Sequence, residues 1–507
     1  MSADKLTEQS QSDKASAGPA IGSEVTGGPA ANDQSAGGPV PPNKPRIATP
    51  VGTTVGNATF IAGGLGNIRG LRCAGVSAGF RKNPQRRDFA LLVCEQPTVA
   101  SGLFTQNRFA AGPVIISQRH LAASKQPTAA DNPAAAGMRA IIINSGQANA
   151  ATGKPGEEIA TAATQMTAAA LGCTPEQVLV ASTGVIGAQL SLANFEQGVS
   201  RAAAALGRAD GSDLESGLQA AEAIMTTDTY AKQAAVQVEL PNAKGQTTTC
   251  RIAGMVKGSG MIEPHMATLL GVFATDAQLS QAAADQVFKS AVDKSLNRLT
   301  VDSDTSTNDT VFFLATGAAG GDCIEIGATA DASTNVAADG PAIVAHDSSI
   351  NAVAYQLFEQ ALTTLCVELT RQLAADGEGA SKLVTVRVSG ALNAAAADQA
   401  ARAVANSPLV KTAIAGHDAN WGRIAMALGK SGADFDQANV SITMLGLPVL
   451  ANGLPVAFDE ATALALFESE PEVVITADLG TGGNGQAVIW TCDLTHGYIT
   501  INGDYRS

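Results

Sequence analysis

Residues 139–172 read RAIIINSGQANAATGKPGEEIATAATQMTAAALG, and the hydrophobic period changes within this one stretch. The run from Arg139 through Ile141, Ile142 and Ile143 to Ser145 is short, apolar and bounded by polar residues, as a buried strand is. After Pro155 the apolar residues Ile159, Ala163, Met166 and Ala170 share one helical face, and Gly172 supplies the stop. A strand feeding an amphipathic helix points to a layered α/β fold.

The same reading extends outward. Residues 86–96 (RRDFALLVCEQ), 178–180, 232–240 and 249–255 read as strands, and 212–225 and 280–296 as helices. A long helix is expected over 350–373. Beyond it, 384–388, 440–445, 473–479, 487–494 and 498–502 read as strands. Residues 126–137 form a polar, Ala-rich loop. Residues 1–50 are rich in Ser, Ala, Gly and Pro and cannot bury enough surface to offset their ordering entropy, so they are expected to be a disordered extension. Residues 322–349 are poor in large apolar residues and read as an inserted loop. There is no internal repeat.

Composition narrows the function. Of 507 residues, 45% are hydrophobic, which permits a sizeable core, while 52 are glycine and only 4% aromatic, so packing relies on small side chains and close backbones. The net charge of −14 has no basic stripe to offset it and argues against nucleic acid as a partner. Seven scattered cysteines without a C-x-x-C pair suggest neither a disulfide framework nor a zinc site, and the five histidines are far apart. No metal is expected. No apolar run is long enough to span a bilayer. The N-terminus carries no basic flank before an apolar core, and five acidic residues precede position 50, so cytoplasm is the expectation. Gly480-Thr481-Gly482-Gly483-Asn484-Gly485 fits G-x-G-x-x-G, but it falls between two strand patterns instead of between a strand and a helix. It reads as a hairpin turn.

Four segments hold more Thr, Ser, Asn and Gly than a core needs. They are Asn144-Ser145-Gly146-Gln147-Ala148-Asn149, Ser182-Thr183-Gly184-Val185-Ile186-Gly187, Met225-Thr226-Thr227-Asp228-Thr229, and Lys257-Gly258-Ser259-Gly260-Met261 with Met266-Ala267-Thr268-Leu269-Leu270. Each alone could be a turn or a cap. Together, with no Ser-His-Asp set, metal set or cofactor loop, they leave hydroxyls and backbone amides to do any chemistry. One known solution is a threonine whose own freed α-amine serves as its base. With a pKa near about 7.7–8.0, part of that amine is neutral at physiological pH. The chain must then be cut just before the threonine.

These segments resemble the ornithine acetyltransferase family, the glutamate N-acetyltransferases of arginine biosynthesis. The resemblance runs from about Gly52 to Ser507. It also takes in Phe104-Thr105-Gln106-Asn107, Pro113-Val114, Asp302-Ser303-Asp304-Thr305-Ser306-Thr307-Asn308-Asp309, Asp376-Gly377-Glu378-Gly379-Ala380, Asn420-Trp421-Gly422-Arg423-Ile424 and Asn502-Gly503-Asp504-Tyr505-Arg506-Ser507. It implies an α/β/β/α sandwich and autocleavage between Ala267 and Thr268. The products would be an α chain (51–267 after the extension) and a β chain (268–507), assembled as α2β2. It implies Thr268 as nucleophile and Thr183 with Gly184 as oxyanion hole. Substrate contacts would come from Thr226, Lys257, Thr268, Glu378, Asn502 and Ser507. Acetyl would pass from N2-acetyl-L-ornithine to L-glutamate. No cofactor is implied, though some members also take acetyl-CoA as a donor substrate.

A few positions depart from the family's usual pattern. His265 stands where Asn or Ser is usual, Ala231 replaces a proline, Ser303 a glycine and Gly503 an alanine, while Ser507 replaces a terminal threonine and keeps the hydroxyl. None removes a catalytic group. Two rivals stay open: a self-processing amidase or aminopeptidase with water as acceptor, and a non-enzymatic binding protein.

Overall fold

The computed structural model describes residues 47–125, 137–263, 269–326 and 345–504. Its first part runs β1 (Thr54–Val55), β2 (Ala58–Ile61), β3 (Leu71–Val76), β4 (Phe89–Phe104), α1 (Gly112–Ser124), β5 (Met138–Gln147), α2 (Gly153–Leu171), β6 (Val178–Val185), α3 (Leu192–Ala204) and α4 (Leu214–Ala223). Then come β7 (Lys232–Pro241), β8 (Thr247–Lys257), β9 (Leu270–Thr275), α5 (Gln281–Asp293), β10 (Thr310–Ala315) and α6 (Ala345–Ala375). The last part holds β11 (Leu383–Ala391), α7 (Ala394–Ala405), α8 (Pro408–Ala415), α9 (Trp421–Gly429), β12 (Ser441–Met444), β13 (Leu447–Ala451), β14 (Leu454–Pro455), α10 (Glu460–Ser469), β15 (Glu472–Asp478), β16 (Gly485–Cys492) and α11 (His496–Asp504). The fold is α/β, as the opening strand and helix indicate.

Strand β4 organises the larger sheet. Its first half pairs with β3 and β5, and residues 99–104 pair instead with β10. The register shifts between Val93 and Thr98, so Pro97 sits at an irregularity and not in a regular ladder. From there the sheet continues β10, β9, β8, β7, β2, β1 on one side and β5, β6 on the other.

Side chains alternate between the faces of each strand. Ala90, Leu92 and Cys94 of β4 share a core with Ala253 and Met255 of β8 and Phe312 and Leu314 of β10. The other face of β4, through Phe89, Leu91 and Val93, packs on α1, α2 and α3. The other face of β8, through Ile252 and Val256, packs on α5 and α6. One core thus lies between two strand layers, and helices cover both outsides.

The smaller sheet has the order β14-β13-β12-β15-β11-β16. Its core takes α7, α9 and Phe467 of α10. Trp490 and Cys492 of β16 join the α6 core, which fixes the two sheets to each other.

Several expectations need correction. Residues 498–502 are not a strand: they lie in α11. The run Tyr498-Ile499-Thr500-Ile501 has β propensity, but Thr495 overrides it. Its Oγ1 donates to Gly379 O at 2.6 Å and accepts from Gly497 N at 3.0 Å, setting the first turn. Residues 480–485 do not close a hairpin. The strands they join, β15 and β16, flank β11 on opposite sides, so the loop crosses the end of β11, where Thr481 N and Oγ1 both donate to Gly390 O. The loop expected over 322–349 gives way to structure at both ends, and its residues 327–344 lie outside the described residues. Ile324 is buried and bridges Leu279, and α6 begins at Ala345. The N-terminal boundary also moves, because Thr49 donates from N and Oγ1 to the Glu368 carboxylate at 3.1 and 2.7 Å. Residues 1–46 and most of the 126–137 loop lie outside the described residues.

Ser303, where the resemblance expects glycine, adopts φ 63°, a left-handed conformation that a Cβ disfavours. Ser303→Gly is expected to stabilise the protein by about 1 kcal/mol. Chemical denaturation with an unchanged m-value will check this.

Candidate active site

The sheet brings several strand ends to one place. Thr183 and Gly184 end β6, Lys257 ends β8, and Leu270 opens β9 opposite Lys257. Thr226 follows α4, Glu378 follows α6, and Asn502 belongs to α11. These residues, from six distant segments, line one cavity of about 190 Å³, together with Leu269 and Leu270. All the expected site residues that are described therefore converge. Thr268, Ala267 and Ser507 lie outside the described residues. Leu269, the neighbour of Thr268 in the chain, is on the cavity wall.

Gly184 is required by its surroundings. Its φ is 129°, and a methyl group there would lie 2.2 Å from the Gly146 carbonyl carbon on β5. The β6 end is held by Ser182 Oγ donating to Asn144 Oδ1 at 2.6 Å and Asn308 Nδ2 donating to Ser182 O at 2.8 Å. Beside it, Lys257 Nζ donates to Thr183 Oγ1 at 3.2 Å. A hydroxyl that accepts this bond keeps its own hydrogen free to donate elsewhere. Thr183 is thereby set up as a donor, with an ammonium behind it.

Charges of both signs line the cavity. Lys257 is buried, and burial pulls its pKa below the usual lysine range, against the opposing pull of Asp228. Asp302, Asp304 and Glu378 also line the cavity. Asp302 accepts from Met261 N at 2.6 Å, Ile262 N at 2.7 Å and Tyr498 Oη at 3.1 Å. Glu378 Oε2 accepts from Asn502 Nδ2 at 2.7 Å, and Glu378 N donates to Ser259 O at 2.7 Å. Burial raises the pKa of Glu378; Thr227 and Asn502 oppose the rise and Asp302 adds to it. Burial likewise raises Asp304, reinforced by Asp302 and Glu263. Such a wall favours a cation that would relieve the crowding of carboxylates. Gly260 gives Glu378 its room, since a methyl group there would stand 2.2 Å from Oε2.

Comparison with known proteins now bears on this geometry. A model of the ArgJ family matches residues 72–507. The chain belongs to the ArgJ family. It is 42% identical over 449 residues to the arginine biosynthesis bifunctional protein ArgJ of Symbiobacterium thermophilum, covering 88% of this chain and 100% of that one. The ArgJ protein of Nitratidesulfovibrio vulgaris is 42% identical over 439 residues, 87% of this chain and 99% of its own. Among solved structures, the ornithine acetyltransferase of Mycobacterium tuberculosis, complexed with ornithine, is 33% identical. It covers 41% of this chain and 100% of that chain, with a TM-score of 0.35.

Within this ArgJ-family site the structure also adds residues to which the sequence reading gave no role. Asp228, Asp302, Asp304 and Asn308 sit inside segments already singled out, and Tyr498 sits in the mistaken strand. A carboxylate between threonines, as in Met225-Thr226-Thr227-Asp228-Thr229, was the available signal. Its partner Lys232 is only four residues on, but Gly258 is thirty residues away and beyond what spacing reveals.

Gly184→Ala is expected to lower acetyl transfer at least about 100-fold, because the added methyl must push β6 off β5 and displace the backbone N–H of residue 184. Steady-state rates, read beside circular dichroism to confirm folding, will check this.

Proposed function

We propose that this cavity carries acetyl from N2-acetyl-L-ornithine to L-glutamate through an ester on Thr268, after the chain is cut between Ala267 and Thr268. Family membership supports the coarser part, an acetyltransferase of arginine biosynthesis. The observation that carries the rest is the convergence of Thr183, Gly184, Thr226, Lys257, Glu378 and Asn502 on one cavity, next to the residue that follows Thr268.

The freed α-amine of Thr268 takes the proton from its own hydroxyl as Oγ attacks the acetyl carbonyl. Negative charge develops on the carbonyl oxygen, where the Thr183 hydroxyl and the Gly184 N–H donate. The C–N bond breaks, the proton passes to the departing α-nitrogen, and ornithine leaves. The neutral α-amine of glutamate then attacks the ester. Its proton returns through the Thr268 amine to Oγ, and N-acetylglutamate is released.

Lys257 supports this twice, by orienting Thr183 and by presenting an ammonium to a substrate carboxylate. Glu378, with Asp302 and Asp304, suits the side-chain ammonium of ornithine. A cavity of about 190 Å³ has room for one amino-acid-sized molecule at a time, which favours alternate, ping-pong occupation. Acetyl-CoA as a second donor and an α2β2 assembly of cut chains, in the cytoplasm, complete the proposal.

The rival reading has water as acceptor, and acetate release from N2-acetylornithine that glutamate leaves unchanged would establish it instead. Purified protein is expected to give two fragments, the second beginning at Thr268. Thr268→Ala should stay whole and inactive. Thr183→Ala should slow cleavage and transfer alike by about 10²–10³, as loss of one oxyanion donor does. Mass spectrometry and acetyl-transfer kinetics measure both, and a Thr183→Ala protein with normal rates would exclude the oxyanion role.

A further inference from the structure

Behind the cavity lies a buried group of charges that does not itself line it. Asp228 Oδ2 accepts from Thr226 N at 2.8 Å. Its Oδ1 accepts from Gly258 N at 2.8 Å and from Lys232 Nζ at 2.6 Å. Lys232 is fully buried and also pairs with Asp376, which in turn accepts from Thr229 N at 3.1 Å. Two carboxylates, Asp228 and Asp376, thus stand with two ammoniums, Lys232 and Lys257, in a place where an unbalanced charge is costly.

We infer that Asp228 is a positioning residue for the acyl-transfer site: its one carboxylate fixes the main chain at Thr226 and Gly258, next to Lys257, and stands as the buried counter-charge behind that lysine. The inference rests on the reading of the cavity as an acyl-transfer site. Thr226 and Lys257 come from segments some thirty residues apart, and Asp228 ties them together (Gly258 follows Lys257 directly). The groups that act on Lys257 are Asp228 and Glu378, which favour its charge, and Lys232 and Arg81, which oppose it; nearby Asp309 is pushed well up by its own burial and so is held toward its neutral form. Burial opposes it too, and Asp228 is the first of the groups that counter burial. Asp228 is itself held well below the usual carboxylate range; Lys232 and Lys257 overcome its own burial.

The sign follows from this. Replacing Asp228 by a neutral side chain removes attraction from the ammonium, so Lys257 loses its proton at a lower pH. An ammonium that orients Thr183 and meets a carboxylate is then missing on the alkaline side, and the alkaline limb of the activity profile moves down with it.

The test uses the full chain with 13C-labelled lysine, the Lys257 signal being assigned by its loss in Lys257→Arg. In Asp228→Asn the Lys257 signal should titrate at least one pH unit lower than in wild type, and kcat/KM for acetyl transfer should fall at least tenfold at pH 7. Asp376→Asn, in the same buried group, should lose thermal stability but leave the Lys257 titration and the alkaline limb in place. That outcome separates positioning from a purely structural role. An unchanged Lys257 titration in folded Asp228→Asn overturns the inference whether or not the protein transfers acetyl. If the titration shifts but the wild type transfers no acetyl, the electrostatic link stands and the functional reading fails. Should Asp228→Asn not fold, Asp228→Glu keeps the charge and moves the oxygens. Its Lys257 should titrate as in wild type while kcat/KM still falls tenfold, and wild-type kinetics there would overturn the main-chain half of the inference.

Discussion

The pairing of β8 with β9 is the constraint on which the site depends. Lys257 stands opposite Leu270, and the chain between them carries the Ala267-Thr268 junction. On its other side β9 pairs in parallel with β10, Leu270 beside Thr310, and β10 pairs with β4. The two strands that follow the junction are therefore set into the middle of a sheet whose flanking strands precede it. Cutting the junction would leave two polypeptides that share one sheet and two cores. To separate, they would have to break both edges of the β9–β10 pair and expose Phe273, Phe312 and Phe313 to water. A chain built this way can lose a peptide bond at its active site and keep its fold.

How much of this the sequence discloses depends on whether the relevant partners are local. β5 holds an apolar run, β7 and β8 place apolar residues at strand spacing within their own length, and α2 carries its own periodicity and a left-handed Gly172 at its end, so each can be read alone. The corner in β4 cannot. Pro97 reads as the end of a strand, because only the register shift at that point, a property of two strands together, lets the strand continue. α1 was missed for a related reason: its buried residues Val114, Ile116, Ser117, His120 and Leu121 mix polar with apolar, and the polar ones are satisfied from β6. Ser117 Oγ donates to Val180 O at 2.7 Å, and His120 Nδ1 lies 2.8 Å from Val178 O. Site residues were legible where a resemblance named them. Asp228 was not, since its bond to Gly258, thirty residues on, is one that no local pattern displays.

The composition takes on meaning at the cavity. A chain with 52 glycines and few aromatic residues can bring backbones closer than side chains usually allow, and the site uses this where it matters. β6 reaches β5 at Gly146 and Gly184, and the Glu378 carboxylate occupies the space that a side chain at Gly260 would fill. Close backbones also exclude water, which strengthens every interaction among the charges left inside. Exclusion has a cost: buried charges must be balanced, and burial pulls Lys257 toward its neutral form. The fold answers with Asp228 and with the Lys232–Asp376 pair behind it, so that one ammonium can face the cavity while its counter-charge remains out of reach of substrate. Tight packing and charge balance are thus one requirement, because the glycines that create the close site also create the low-dielectric surroundings in which only a compensated lysine stays charged.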